Sequence, residues 1–172
     1  MAKVTIDGIE VEVADGTTIL NAARQIGGEV VPPAMCYYST LKDTGGKCRV
    51  CLVKVTQGSA KDPRPMPKLV ASCRTPVMDG MVVQNITSPE VLEARKGVVE
   101  FLLLNHPLDC PVCDQAGECD LQNLSYEHGA GKTVFAGTGV VGPYFGGHAD
   151  VGLFVEPENV EEAPAVPQPG EE

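Results

Sequence analysis

Eight residues in this chain have the types and the spacing of metal ligands. His106, Cys110, Cys113 and Cys119 fall within fourteen residues, at gaps of three, two and five positions. One imidazole and three thiols so close in sequence form a soft donor set with few uses other than holding a metal centre. His106 and Cys110 each precede a proline, which pushes the residue before it out of the helical region. Two of the four positions therefore sit on backbone that resists continuing a helix. Upstream, Cys36, Cys48, Cys51 and Cys73 form another set, with gaps of eleven, two and twenty-one. Seven cysteines fit a paired disulfide framework poorly, whereas adding His106 gives four ligands plus four. That arithmetic favours two metal centres.

In the upstream set, Cys48-x2-Cys51 can bind one metal atom from a single turn, with Cys36 and Cys73 closing the site from separate loops. Plant-type [2Fe–2S] ferredoxins use Cys-x4-Cys-x2-Cys and a distant fourth cysteine. The first gap is longer here, but the order of outlying cysteine, tight pair and returning cysteine is the same. Gly45-Gly46 just before Cys48 would let backbone N–H groups approach bridging sulfides without side-chain hindrance. Two other readings compete: a four-cysteine zinc site, which usually pairs one Cys-x2-Cys half with a second, and plain buried thiols. In the downstream set an ordinary [4Fe–4S] site would take four cysteines, so His106 is the fourth ligand by count. A neutral imidazole in place of a thiolate makes such a site less negative, which bears on its potential. The competing reading for His106 is a helix-terminal histidine against carbonyls, beside a three-cysteine or zinc site.

The elements that must position these residues follow from pattern. Val4–Ile6 and Ile9–Val13 alternate around Asp7-Gly8, a type I′ hairpin signal. Thr17 or Thr18 can cap a short helix to Ile26, with Ile19, Ala22, Ala23 and Ile26 on one face and Gly27-Gly28 ending it. Strands are expected at 52–56, 69–72 and 81–86, with an exposed Pro-rich loop at 58–67. Ser88-Pro89 reads as a helix start with a capping hydroxyl. Val91, Ala94, Val98 and Leu102 form an apolar stripe to about Leu104, and Leu121–Glu127 reads as one more short turn of helix. The fold class expected is α+β.

Composition excludes more than it selects. Apolar content of 43% supports a modest core. The net charge of −10 is mostly in the tail, since residues from Thr133 onward carry seven acids and no Lys or Arg. Nothing resembles a basic nucleic-acid footprint. Residues 1–30 lack the apolar segment of a signal peptide, and the longest apolar stretch, Val98–Leu104, is too short to span a bilayer. A reducing compartment follows as the expectation. Gly137-Thr-Gly139-Val-Val-Gly142 matches a dinucleotide loop in letters, but Pro143, Gly146 and Gly147 follow where a helix must open. His128 and His148 stand alone and read as surface or loop histidines. No Ser/His/Asp or paired-carboxylate site can be drawn.

Residues from Val4 to about Gly129 resemble the N-terminal part of the large iron–sulfur subunit, the 75-kDa type, of respiratory complex I, NADH:quinone oxidoreductase. Cys36, Cys48, Cys51 and Cys73 match that family's [2Fe–2S] ligands. Leu104-Asn-His-Pro-Leu-Asp-Cys-Pro-Val-Cys113 with Cys119 matches its [4Fe–4S] site of one histidine and three cysteines. Diaphorase-type subunits of soluble NAD-linked hydrogenases and formate dehydrogenases carry the same two modules. The resemblance implies a ferredoxin-like β-grasp domain over 1–87 and a small helical iron–sulfur domain over 88–130. A Gly-rich, then Glu/Pro-rich and disordered acidic tail is expected over 131–172. It implies one [2Fe–2S] and one [4Fe–4S] cluster, and partners that include a flavin/NADH-binding subunit and one leading to quinone. The place implied is peripheral, on the cytoplasmic side of the plasma membrane. The family's later Cys-x2-Cys-x2-Cys motif has no counterpart here, since no cysteine follows Cys119.

Overall fold

Asp7 and Gly8 reverse the chain at positive φ (47° and 87°), as a type I′ turn requires. They join β1 (Ala2–Ile6) to β2 (Ile9–Val13) in antiparallel register, Ile6 opposite Ile9. Alternation sends Ala2, Val4 and Ile6 inward. In the computed structural model, which describes residues 1–41, 44–104, 106 and 110–129, this hairpin is one edge of a five-stranded sheet. β3 (Leu52–Gln57), β4 (Val70–Ala71) and β5 (Met81–Gln84) complete it in the order β2-β1-β5-β3-β4. β5, last in sequence, sits at the centre, parallel to β1 and antiparallel to β3.

Helix α1 (Ile19–Ile26) covers one face. Of the two threonines expected to cap it, Thr18 does so, accepting the Asn21 N–H at 3.3 Å, and the Gly27 N–H closes the other end on the Ala23 carbonyl. Ile19, Ala22 and Ala23 pack with Val4, Ile6, Val53, Val55, Met81 and Val83 as the main core. Leu20, absent from the expected face, is also fully buried and lies instead against Cys51, Ala71 and Cys73. The 58–67 segment is mostly exposed, as its prolines imply.

Helix α2 (Pro89–Leu103) begins where expected, but the Ser88 hydroxyl makes no capping bond; Ser88 is buried, and only its carbonyl accepts, from Val91 and Leu92. The stripe is also turned. Val91, Arg95 and Val99 are the buried residues, with Ala94, Val98 and Leu102 at its margin. A charge on the inner line is tolerated because backbone carbonyls accept from it, as described below. α3 (Asp120–His128) packs on α2 through Val99 and Leu124. No helix among the described residues is long and apolar enough to cross a membrane. The glycine motif at 137–142, His148 and the acidic tail lie outside the described residues.

The Asp7 carboxylate fastens the crossing from β5 to α2, accepting the N–H groups of Asn85 (2.8 Å) and Ile86 (3.1 Å) and the Thr87 hydroxyl. Asp7→Asn keeps a residue that tolerates left-handed backbone but gives up the charge-assisted bonds. It is expected to cost roughly 1 kcal/mol of unfolding free energy in urea titrations.

Candidate metal centres

The four upstream cysteines come from two connections, the one before β3 and the one after β4. Cys36 follows the 3₁₀ turn Gly28–Val30, Cys48 and Cys51 lead into β3, and Cys73 follows β4. They meet as two pairs. Cys51 Sγ and Cys73 Sγ are 3.4 Å apart, and Cys36 and Cys48 interact through their side chains. Among the described residues no three His, Cys, Asp or Glu side chains close on a single ion. Two thiol pairs suit two metal atoms better than one tetrahedral zinc, whose four ligands must all approach the same point.

Backbone donors point at the sulfurs. Gly46 N–H donates to Cys73 Sγ (3.2 Å), and the N–H groups of Lys47 (3.4 Å) and Cys48 (3.3 Å) donate to Cys36 Sγ. Gly45 (φ 93°) and Gly46 (φ 75°) give the loop this shape, and a Cβ on Gly45 would lie 3.1 Å from Cys73 Sγ and 3.0 Å from the Tyr37 ring. Tyr37 is held in turn by Asn21 Nδ2 at 2.8 Å and lies under the Arg24 guanidinium. A cradle of amide donors with no room for a side chain fits a sulfur-bridged, anionic group.

The same features separate the thiols electrostatically. Burial works against the Cys36 thiolate, but the amide donors outweigh it and hold this thiol below its ordinary value. Burial pushes Cys48 up. Cys73 is pushed up to about 11, by burial first and then by Cys51 beside it.

The downstream set lies between the end of α2 and the start of α3. Cys110 opens the 3₁₀ turn Cys110–Val112 and Cys113 follows it, with the Cys113 N–H on the Cys110 carbonyl at 3.1 Å. Cys119 is the N-cap residue of α3, and its carbonyl accepts the Asn123 N–H at 3.1 Å. His106 lies just past α2, exposed, its N–H on the Leu103 carbonyl. In type, the donors suit an iron–sulfur group. All seven cysteines are free thiols.

Sequence reasoning missed the residue that ties α2 to the upstream set. Arg95 is 1% exposed, and its guanidinium reaches the carbonyls of Val50 (3.1 Å) and Leu52 (3.4 Å) and Asn85 Oδ1 (2.6 Å). The only available signal was phase, since Val91, Arg95 and Val99 recur at four-residue steps. Cys48, Val50, Val99 and Leu124 form one apolar cluster, edged by Cys36, Val98 and Leu102.

The model of the family described as a 2Fe-2S iron–sulfur cluster binding domain matches residues 1–88, half of the chain. The chain belongs to that family. The NADH-ubiquinone oxidoreductase-G iron–sulfur binding region matches residues 95–133. An NADH-quinone oxidoreductase subunit of Rickettsia bellii is 50% identical over 135 residues, 78% of this chain and 18% of its own length. The NADH-ubiquinone oxidoreductase 75 kDa subunit of Reclinomonas americana shows the same identity and coverage. The likeness is to the N-terminal region of those proteins, and the chain spans under a fifth of their length. Among solved structures, an NAD+-reducing [NiFe]-hydrogenase in the H2-reduced state superposes with a TM-score of 0.61 at 28% identity, covering 74% of this chain and 48% of that one. A [2Fe–2S]-binding sheet followed by a short helical [4Fe–4S]-binding region is thus the architecture of the described residues.

Two outcomes follow. In the metal-free chain, alkylation at pH 8 followed by mass spectrometry is expected to label Cys36 before Cys48 and Cys73. Raising the pH toward 11 brings Cys73 into reaction as its thiolate forms. Gly45→Ala is expected to destabilise the fold by about 1–2 kcal/mol through its left-handed φ. It should also lower iron content after reconstitution, because its methyl occupies the space beside Cys73 Sγ.

Proposed function

We propose that this chain is an electron-transfer iron–sulfur subunit of an NADH:quinone oxidoreductase, carrying electrons from a flavin/NADH-binding subunit toward one that leads to quinone. Its units are a β-grasp [2Fe–2S] domain over 1–87 and a [4Fe–4S] domain over 88–130, followed by a tail over 131–172. Cys36, Cys48, Cys51 and Cys73 hold the first cluster; His106, Cys110, Cys113 and Cys119 hold the second. When bound, these groups supply one-electron chemistry. The protein's own part is to pair the thiols, aim amide donors at them and shield them with α1 and α2. The observation that carries the reading is the pairing of four thiols beside the Gly46, Lys47 and Cys48 amides, in a chain 50% identical to an NADH-quinone oxidoreductase subunit. The working place is peripheral, at the cytoplasmic side of the plasma membrane within the complex.

A second reading, the diaphorase-type iron–sulfur subunit of a soluble NAD-linked enzyme, is favoured by the superposition on the NAD+-reducing hydrogenase. The higher identity to the quinone-reductase relatives puts it second. Proteins that co-purify from the native source separate the two, as a membrane-bound quinone-reducing assembly or a soluble one.

Anaerobic reconstitution is expected to give about six irons and about six acid-labile sulfides per chain, with two distinguishable EPR signals after reduction. Stoichiometric zinc without a reducible centre would sink the relay. His106→Ala is expected to reduce the four-iron signal and leave the two-iron signal in place. An unchanged four-iron signal rules out histidine ligation.

A further inference from the structure

Arg95 stands out among the described residues as a buried charge that the proposed ligand sets do not use. Its guanidinium donates to the carbonyls on either side of Cys51, at Val50 and Leu52, and to Asn85 Oδ1. Asn85 is itself fully buried; its N–H is taken by Asp7 and its Nδ2 by the Val30 carbonyl. Among the described residues no carboxylate lies within ion-pair distance of Arg95, and Asp7 acts on it only from beyond Asn85. A buried cation held by neutral acceptors is costly, and a core with hydrophobic packing in its place would often be as stable. Such a charge gains most from an anion next to it, and a thiolate-ligated cluster behind Cys51 is one.

We infer that Arg95 is a positioning residue of the [2Fe–2S] centre: it clamps the two carbonyls that flank Cys51, and its fixed positive charge favours the reduced, more negative cluster. The inference rests on the reading that the upstream cysteines hold that cluster. One-electron reduction adds one negative charge to the group at Cys51 and moves no proton at Arg95, so the charge acts on the equilibrium directly. Because the guanidinium is desolvated, solvent and salt screen it weakly. Net charge and nearby hydrogen bonds are the levers that set such potentials. The position of α2 explains how the charge arrives. The helix lays Arg95 between Val91 and Val99, so the packing that docks the helical region also inserts the cation behind the cysteine turn.

The test uses the full 172-residue chain, reconstituted anaerobically with ferrous iron and sulfide and titrated with dithionite under EPR, beside thermal melts of the metal-free protein. Arg95→Met removes the charge, and Arg95→Lys keeps it without the fork. Asn85→Asp keeps the acceptor at 2.6 Å but sets an anion against the guanidinium. Arg95→Met and Asn85→Asp are each expected to disfavour one-electron reduction at least tenfold, a drop of about 59 mV. Arg95→Lys should recover most of that loss although it melts lower. Should Arg95→Met fail to hold the cluster, Asn85→Asp carries the comparison. Lower melting with unchanged potentials in the variants overturns the inference and leaves Arg95 a core residue; so does loss of the fold in all three. If the wild-type chain holds no two-iron centre, its iron and sulfide content shows that the functional reading has failed first, and the inference falls with it.

Discussion

Cys48, Cys51 and Cys73 are buried almost completely, and under the proposed function the need to keep three thiols there as ligands bears on much of the surrounding structure. A neutral thiol packs like a small apolar side chain, but as a ligand it is a thiolate, and an anion in an apolar core needs compensation. Three kinds are present. The Gly46 N–H donates to Cys73 Sγ, the Gly45-Gly46 turn lets the loop come close, and Arg95 brings a cation behind Cys51. Each needs a different part of the chain in place: the loop before β3, the end of β4, and α2. The sheet supplies the rigidity, since β3 and β4 anchor the tight cysteine pair and the returning cysteine on adjacent strands.

Much of this is legible in the sequence, and for local reasons. Asp7-Gly8 between alternating segments admits little but a tight hairpin, and the structure has one with Ile6 opposite Ile9. Thr18 caps α1 because its hydroxyl lies three residues before the Asn21 N–H that needs an acceptor. Gly45-Gly46 can be read as a loop that must approach sulfur, and both glycines sit against Cys73 and Arg74 at positive φ. The pairing of the thiols is not legible, because spacing fixes which cysteines are near in sequence and says nothing of loops crossing in space. Cys51 pairs with Cys73 across twenty-one intervening residues because β4 returns beside β3.

The misreadings of α2 have physical origins. Amphipathic patterns assign charge to the solvent side, which draws the α2 stripe through Ala94, Val98 and Leu102 and away from Arg95. That rule assumes water is the best partner a guanidinium can find. Here the carbonyls of Val50 and Leu52 flank Cys51 where the chain enters β3, and Arg95 donates to both. Ser88 fails as a cap for a local reason: the Val91 N–H that its hydroxyl would accept goes to its own carbonyl, and Ser88 is buried in the crossing from β5.

A boundary at Ser88 divides the chain by motif but not by packing. Cys48 and Val50 belong to the upstream loop, Val99 to α2 and Leu124 to α3, yet these four form one apolar cluster. Arg95 crosses the same boundary with three hydrogen bonds, and Lys54 of β3 pairs with Glu90 at the start of α2 at 2.7 Å. The exposed ion pair contributes little. The cluster and the buried guanidinium contribute more, because separating the halves would expose apolar surface and leave Arg95 without its acceptors. Under the proposed function, electron transfer depends on the separation of the centres, and a hinge at the motif boundary would make that separation vary. The packing across residue 88 opposes such a hinge: Cys36 and Cys48 lie in the same apolar cluster as Val99 of α2.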